Sequence, residues 1–109
     1  MELRERFYLE LEFVRASKDA GNCDKEWHHL ERAHVLGQFH PWRHLYVHIL
    51  MIRVSFVHFR IREIIGQIPR IILAVPGSVT RLAPNGNTGG SDVGIFEPME
   101  IPEDLKVYF

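Results

Sequence analysis

The sequence predicts an all-α protein, a small antiparallel bundle of about four helices with an irregular C-terminal tail wrapping it. Three observations lead there. Apolar residues recur at helical spacing in four successive stretches, and the breaks between them are short and carry Gly, Asn or Pro. From Ser78 onward the periodicity fades while Pro and Gly accumulate. A chain of 109 residues, 46% hydrophobic and 25% charged, has room for one helical domain (1–109) and enough apolar substance for a core.

Leu3, Phe7, Leu11 and Val14 mark a first helix over 2–19, stopped by Ala20-Gly21-Asn22. Asp24 is placed to cap a second helix over 24–38, with Trp27, Leu30 and Ala33 as its apolar line and Gly37 near its end. Pro41 suits the first turn of a third helix over 41–59, where a missing N–H costs nothing. Its expected seam is Trp42, Leu45, Ile49, Ile52, Phe56 and Phe59, and its other faces carry Val47, Leu50, Met51, Val54 and Val57. A helix apolar nearly all round should be the central, covered element. Ile61, Ile64, Ile65, Ile68, Ile71, Ile72 and Val75 define a fourth helix over 60–75, with Pro69 expected to kink it and Pro76-Gly77 to end it. The tail, 76–109, carries Val93, Ile95, Phe96, Met99, Ile101, Leu105, Val107 and Phe109, enough apolar side chains to hold it against the helices.

Thirteen Lys plus Arg balance fourteen Asp plus Glu, for a formal charge of −1, which removes any global electrostatic reason to bind nucleic acid or an anionic membrane. The apolar region from Leu45 to Val75 is interrupted by His48, Arg53, His58, Arg60, Arg62, Glu63 and Arg70. It offers no run of the ~18 uninterrupted apolar residues that a membrane span requires. The single Cys23 has no internal disulfide partner, is expected in a turn, and suits a reducing cytoplasm. The opening Met-Glu-Leu-Arg-Glu-Arg has none of the marks of a signal peptide.

Seven histidines are the unusual feature. If the second and third helices form a hairpin at Gln38-Phe39-His40, residues whose numbers sum to about 78 lie level, since both helices rise ~1.5 Å per residue. His34 then faces His44, and Glu31-x-x-His34 faces His44-x-x-x-His48, each spacing placing its pair on one helix face. The first helix brings Glu10 to the same height. His34, His44 and His48, with Glu31 or Glu10 completing the shell, form a ligand set for a divalent ion such as zinc, iron, manganese or copper. Neutral imidazole offers a lone pair at neutral pH, and carboxylate lowers the cost of holding a dication away from water.

The same side chains could instead form a structural His/carboxylate network or stack on Trp27 and Trp42. His40 is either a further ligand or a helix cap, His29 could support the site from behind, and His28 is expected in solvent. His58 lies roughly 20 Å from His44 by helical rise and belongs to no common site. Glu63, Gln67 and Arg70 read as a solvated or salt-bridged face, and Asn85 to Gly90 as a turn that lacks the Lys of a phosphate loop.

The run His29-Leu30-Glu31-Arg32-Ala33-His34-Val35-Leu36-Gly37-Gln38, followed by His40, His44 and His48 and later by Gly86-Asn87-Thr88-Gly89-Gly90, resembles a bacterial family of small proteins catalogued only as a domain of unknown function, number 3703. The resemblance spans nearly the whole chain and implies a bacterial cytoplasmic protein with no stated activity. Ala20-Gly21, Leu30, Ala33 and Pro41 also resemble one tetratricopeptide-type helix pair.

The leading expectation is therefore a metal-binding protein that stores, senses or buffers an ion. The alternative is a helical interaction module with structural histidines, built for a homo-oligomer or a protein partner. A metal-dependent enzyme would need an open coordination position beside a pocket. Di-iron bundles carry an ExxH motif on each of two helices, whereas Glu31-x-x-His34 and the neighbouring Glu26-x-x-His29 both fall on the second helix and no other helix has one.

Overall fold

The computed structural model describes all 109 residues. Four α-helices follow in order: α1 (Leu3–Asp19), α2 (Cys23–Gly37), α3 (Pro41–Val57) and α4 (Ile61–Thr80), with a 3-10 helix at Glu103–Tyr108 near the end of an otherwise irregular tail. There is no strand. α1 packs along α2, α2 against α3, and α3 along α4.

The turns use local chemistry. Asn22 caps α2, its side chain accepting from Lys25 N at 3.0 Å, so Asp24 sits inside the first turn and is not the cap. Cys23 opens α2 instead of lying in the turn, and Arg60 donates to its sulfur at 3.1 Å. His40 caps α3 by accepting from Arg43 N at 3.3 Å, directly before Pro41. α3 ends at Val57, and Phe59 bends the chain toward α4 in the left-handed region at φ 53°.

α4 continues to Thr80, through both Pro69 and Pro76, five residues beyond the expected stop. Each proline frees the carbonyl four residues earlier, on Ile65 and Ile72. Both of these residues lie on the exposed face, where water can take the freed oxygens.

The core joins Phe7 and Val14 of α1, Leu30, Ala33 and Leu36 of α2, and Val47, Met51 and Val54 of α3 with Leu105 of the 3-10 helix. Leu105 is fully buried, so the tail does close over the helices. Two expected seams face the other way. In α3 the buried line is His44, Val47, His48, Met51, Val54 and Ser55, whereas Trp42, Ile49, Phe56 and Phe59 are exposed. In α4 the buried residues are Gln67, Arg70, Ala74 and Ser78, while Ile61, Ile65, Ile68 and Ile72 are exposed. The interior between α2, α3 and α4 is thus a polar layer, and this layer positions the site.

Candidate metal centre

Helical spacing places His44 and His48 on one face of α3, and the hairpin carries His34 of α2 against them. The three Nε2 atoms form a near-equilateral triangle: His34 to His44 and His34 to His48 are both 3.0 Å, and His44 to His48 is 3.1 Å. All three residues are buried, and a buried triad of this kind could hold a metal ion.

The opposite edge of each ring fixes its tautomer. His34 Nδ1 lies 2.6 Å from the carbonyl oxygen of Asn87, which can only accept, so Nδ1 carries the proton. His44 Nδ1 faces the Ala74 carbonyl at 3.0 Å and Ser78 Oγ at 2.8 Å. The Ser78 hydroxyl hydrogen is committed to the Gln38 carbonyl, so its oxygen accepts from His44 as well. His48 Nδ1 lies 2.6 Å from Gln67 Oε1, while Gln67 Nε2 donates to Gly89 O at 2.8 Å and to Glu63 Oε1 at 3.1 Å. The amide is therefore oriented with its oxygen toward the imidazole. Every Nδ1 donates, and every Nε2 presents a lone pair to the other two.

Electrostatics keeps those lone pairs free. Burial pushes the His44 pKa down to about 4 and, with the neighbouring His44, that of His48 to about 3. Burial, reinforced by repulsion from His48 and His44, holds His34 well below the ordinary imidazole range. At neutral pH all three rings are uncharged.

A cavity of about 250 Å³ opens beside the triad and is lined by all three imidazoles, by Arg70 and by apolar residues of α4 and the tail. The tail loop closes the site from above. Gln38 holds it, donating to the Pro84 carbonyl and accepting from Gly86 N at 3.1 Å. Gly89 passes so close to the triad that a Cβ there would lie 2.5 Å from His34 Cδ2, and its φ of +85° favours glycine independently.

The carboxylates expected in the shell lie elsewhere. Glu10 is fully buried and is held by His29 Nδ1 at 2.6 Å and by Arg32 Nε and Arg6 Nη2, each at 2.8 Å. Burial alone would raise its carboxyl pKa, but these hydrogen bonds outweigh burial and hold it below the usual range. Arg32 continues to Asp104 Oδ2 at 2.5 Å, tying α1 and α2 to the 3-10 helix. Glu31 has its carboxyl pushed up by burial and by Asp92, and it too stands outside the ligand group, which consists of His34, His44 and His48. His29 therefore supports Glu10 and not the triad, His40 is a cap, and His58 pairs loosely with Glu26 at 3.8 Å.

Sequence reasoning missed the residues that aim the imidazoles. Gln67 is fully buried and Arg70 nearly so; they belong to the site and not to a solvated face. The Asn85–Gly90 turn supplies two of the carbonyls described above. The one available signal was Gln67 and Ser78 interrupting an isoleucine-rich helix.

No helix is long and apolar enough to cross a membrane. Comparison with curated proteins and with solved structures returns no match. The family described as "Protein of unknown function (DUF3703)" matches residues 1–109, and the chain belongs to that family.

Proposed function

We propose that the protein binds one divalent transition-metal ion through Nε2 of His34, His44 and His48, and acts as a cytoplasmic store, sensor or buffer for it. One observation carries the reading. Three imidazole lone pairs converge within 3.1 Å, and the donor on every ring is spent on the far side. A purely structural network needs a donor at each contact, and here none is left, so the rings repel unless a cation sits among them. Burial disfavours a proton in that role.

Hydrogen bonding of each Nδ1–H to an oxygen is also how metal-bound histidines are commonly oriented. An ion about 2.05 Å from three nitrogens spaced in this way subtends angles of roughly 95° between them, which leaves much of its coordination sphere facing the cavity. A set of imidazoles without carboxylate or thiolate favours zinc, copper or iron over the oxygen-preferring manganese. Elemental analysis of gently purified protein, with isothermal titration of the stripped form, tests the reading. About one ion per chain is expected, with loss in both His44→Ala and His48→Ala. Unchanged metal content in both variants rejects these ligands.

A second reading concerns a partner and is compatible with the first. Ile61, Ile65, Ile68 and Ile72 are 69%, 63%, 50% and 69% exposed, and half-buried Val75 and exposed Val79 extend their alternating four-and-three spacing. That is the seam of a coiled coil, and contiguous exposed apolar stripes are uncommon on monomers. We propose that α4 of a second copy covers it. Light scattering should give a multiple of the chain mass, and Ile65→Glu should return the monomer. A monomeric parent protein at micromolar concentration contradicts this.

A further inference from the structure

Three imidazoles leave an ion's remaining ligands to be supplied by the cavity, whose composition is selective. Its walls include Leu73, Leu82, Ile95 and Phe96, and no Asp or Glu lines it. Its one charged side chain apart from the imidazoles is Arg70, only 9% exposed. The guanidinium donates to the Gly66 and Val93 carbonyls, each at 2.7 Å, and forms no ion pair. These contacts use two of its five N–H donors.

Glu63 and Asp92 act on Arg70 from outside the cavity, and neither lines it, so a dication held by three neutral rings beside this guanidinium would meet no anionic group within the largely apolar space. Such charge is costly unless an anion joins it. At about 250 Å³ the cavity far exceeds the ~30 Å³ share of one water, so it has room for an organic group attached to the anion.

We propose that the cavity binds a small organic monoanion, a carboxylate on a short apolar body. Its head group completes the metal's coordination toward Arg70, and its body lies against Leu73, Leu82, Ile95 and Phe96. This rests on the metal-binding reading. The ligand enters by the side that Leu82 and Phe96 border, since both are largely exposed.

The test uses the cobalt(II)-loaded full chain, whose visible absorption reports changes in coordination. Pentanoate, acetate, azide and the neutral pentanamide are titrated separately. Pentanoate should shift the bands and bind at least tenfold more tightly than acetate, because each buried methylene strengthens binding several-fold. Pentanamide should leave the bands unchanged. Arg70→Gln should weaken pentanoate at least tenfold at unchanged cobalt content, and the comparison of anion with amide on the unaltered protein stands even if that variant fails to fold.

Cobalt binding with no response to pentanoate overturns the inference and leaves the metal reading intact. Equal affinity for acetate and pentanoate overturns the assignment of an apolar body, and tighter azide than pentanoate overturns the organic anion in favour of an inorganic one. Failure to bind cobalt, zinc or copper overturns both readings.

Discussion

Gly89→Ala separates a loop that shapes the metal centre from one that merely covers it. A Cβ at this position would lie 2.5 Å from His34 Cδ2, 2.7 Å from Cγ and 2.9 Å from Nε2, against 3.4–4 Å for ordinary contact. Either the ring or the loop must move by about 1 Å. If the ring moves, Nε2 leaves a triangle whose sides are 3.0–3.1 Å. If the loop moves, the Asn87 carbonyl that orients His34 and the Gly89 carbonyl that orients Gln67 move with it. Both routes weaken the site, and loss of such supporting contacts typically costs 10–100-fold in metal affinity. The left-handed backbone adds about 1–2 kcal/mol of destabilisation. Gly21→Ala isolates that second effect, because Gly21 has φ +71° and nothing within 4 Å of its would-be Cβ. Zinc affinity, measured by competition with a chromophoric chelator, should fall at least tenfold in Gly89→Ala and stay unchanged in Gly21→Ala, while both lower the melting temperature. A folded Gly89→Ala protein with parental zinc affinity would refute the proposed geometry.

Three further outcomes follow from the same structure. Glu10→Gln should destabilise the fold by roughly 2–3 kcal/mol in urea titration, less than for a wholly buried pair because Arg6 and Arg32 are partly exposed, and should leave metal affinity unchanged; lost affinity with retained stability would make Glu10 part of the shell. Gln67→Leu removes the acceptor that orients His48, so zinc affinity should fall 10–100-fold, and an unchanged value would mean that His48 is held by packing alone. Burial lowers the folded pKa values of His44 and His48 from the ordinary 6.5 to about 4 and about 3, so the unfolded chain binds more protons as pH falls below about 6.5. The stability of metal-free protein is therefore fully present above that pH and declines as pH falls toward the folded values, at a limiting slope of about 1.4 kcal/mol per pH unit for each histidine. A melting temperature that holds or rises between pH 7 and pH 5 would contradict it.

The triad was legible in the sequence because its geometry is local. His44 and His48 are one turn apart, and His34 mirrors His44 about a short bend, so helical rise alone brings them level. The partners that orient the rings were not legible. Gln67, Ser78 and Asn87 lie 19, 34 and 53 residues from the histidines they hold, and their approach depends on how α4 and the tail fold back. Glu10 matched the expected height, but it met His29 and two arginines instead of the triad. Height along a helix does not fix rotation about it.

Periodicity found the stripes on α3 and α4 without deciding which stripe faces inward. Isoleucines at 61, 65, 68 and 72 would ordinarily be assigned to the core. Here the narrower line of Gln67, Arg70, Ala74 and Ser78 faces inward, since the imidazoles need acceptors and the Ala74 and Ser78 side chains are small enough to let α4 come close. Pro76-Gly77 misled for a related reason: the carbonyl that Pro76 frees belongs to Ile72 on the exposed face, where water can take it, so the helix continues to Thr80.

Anomalous diffraction from crystals of zinc-loaded protein, collected on both sides of the zinc absorption edge, tests the central claim most directly. The predicted result is one strong peak per chain, equidistant at about 2.0–2.1 Å from Nε2 of His34, His44 and His48. A peak on other residues, or no peak beside the three rings in protein shown to carry zinc, would contradict it.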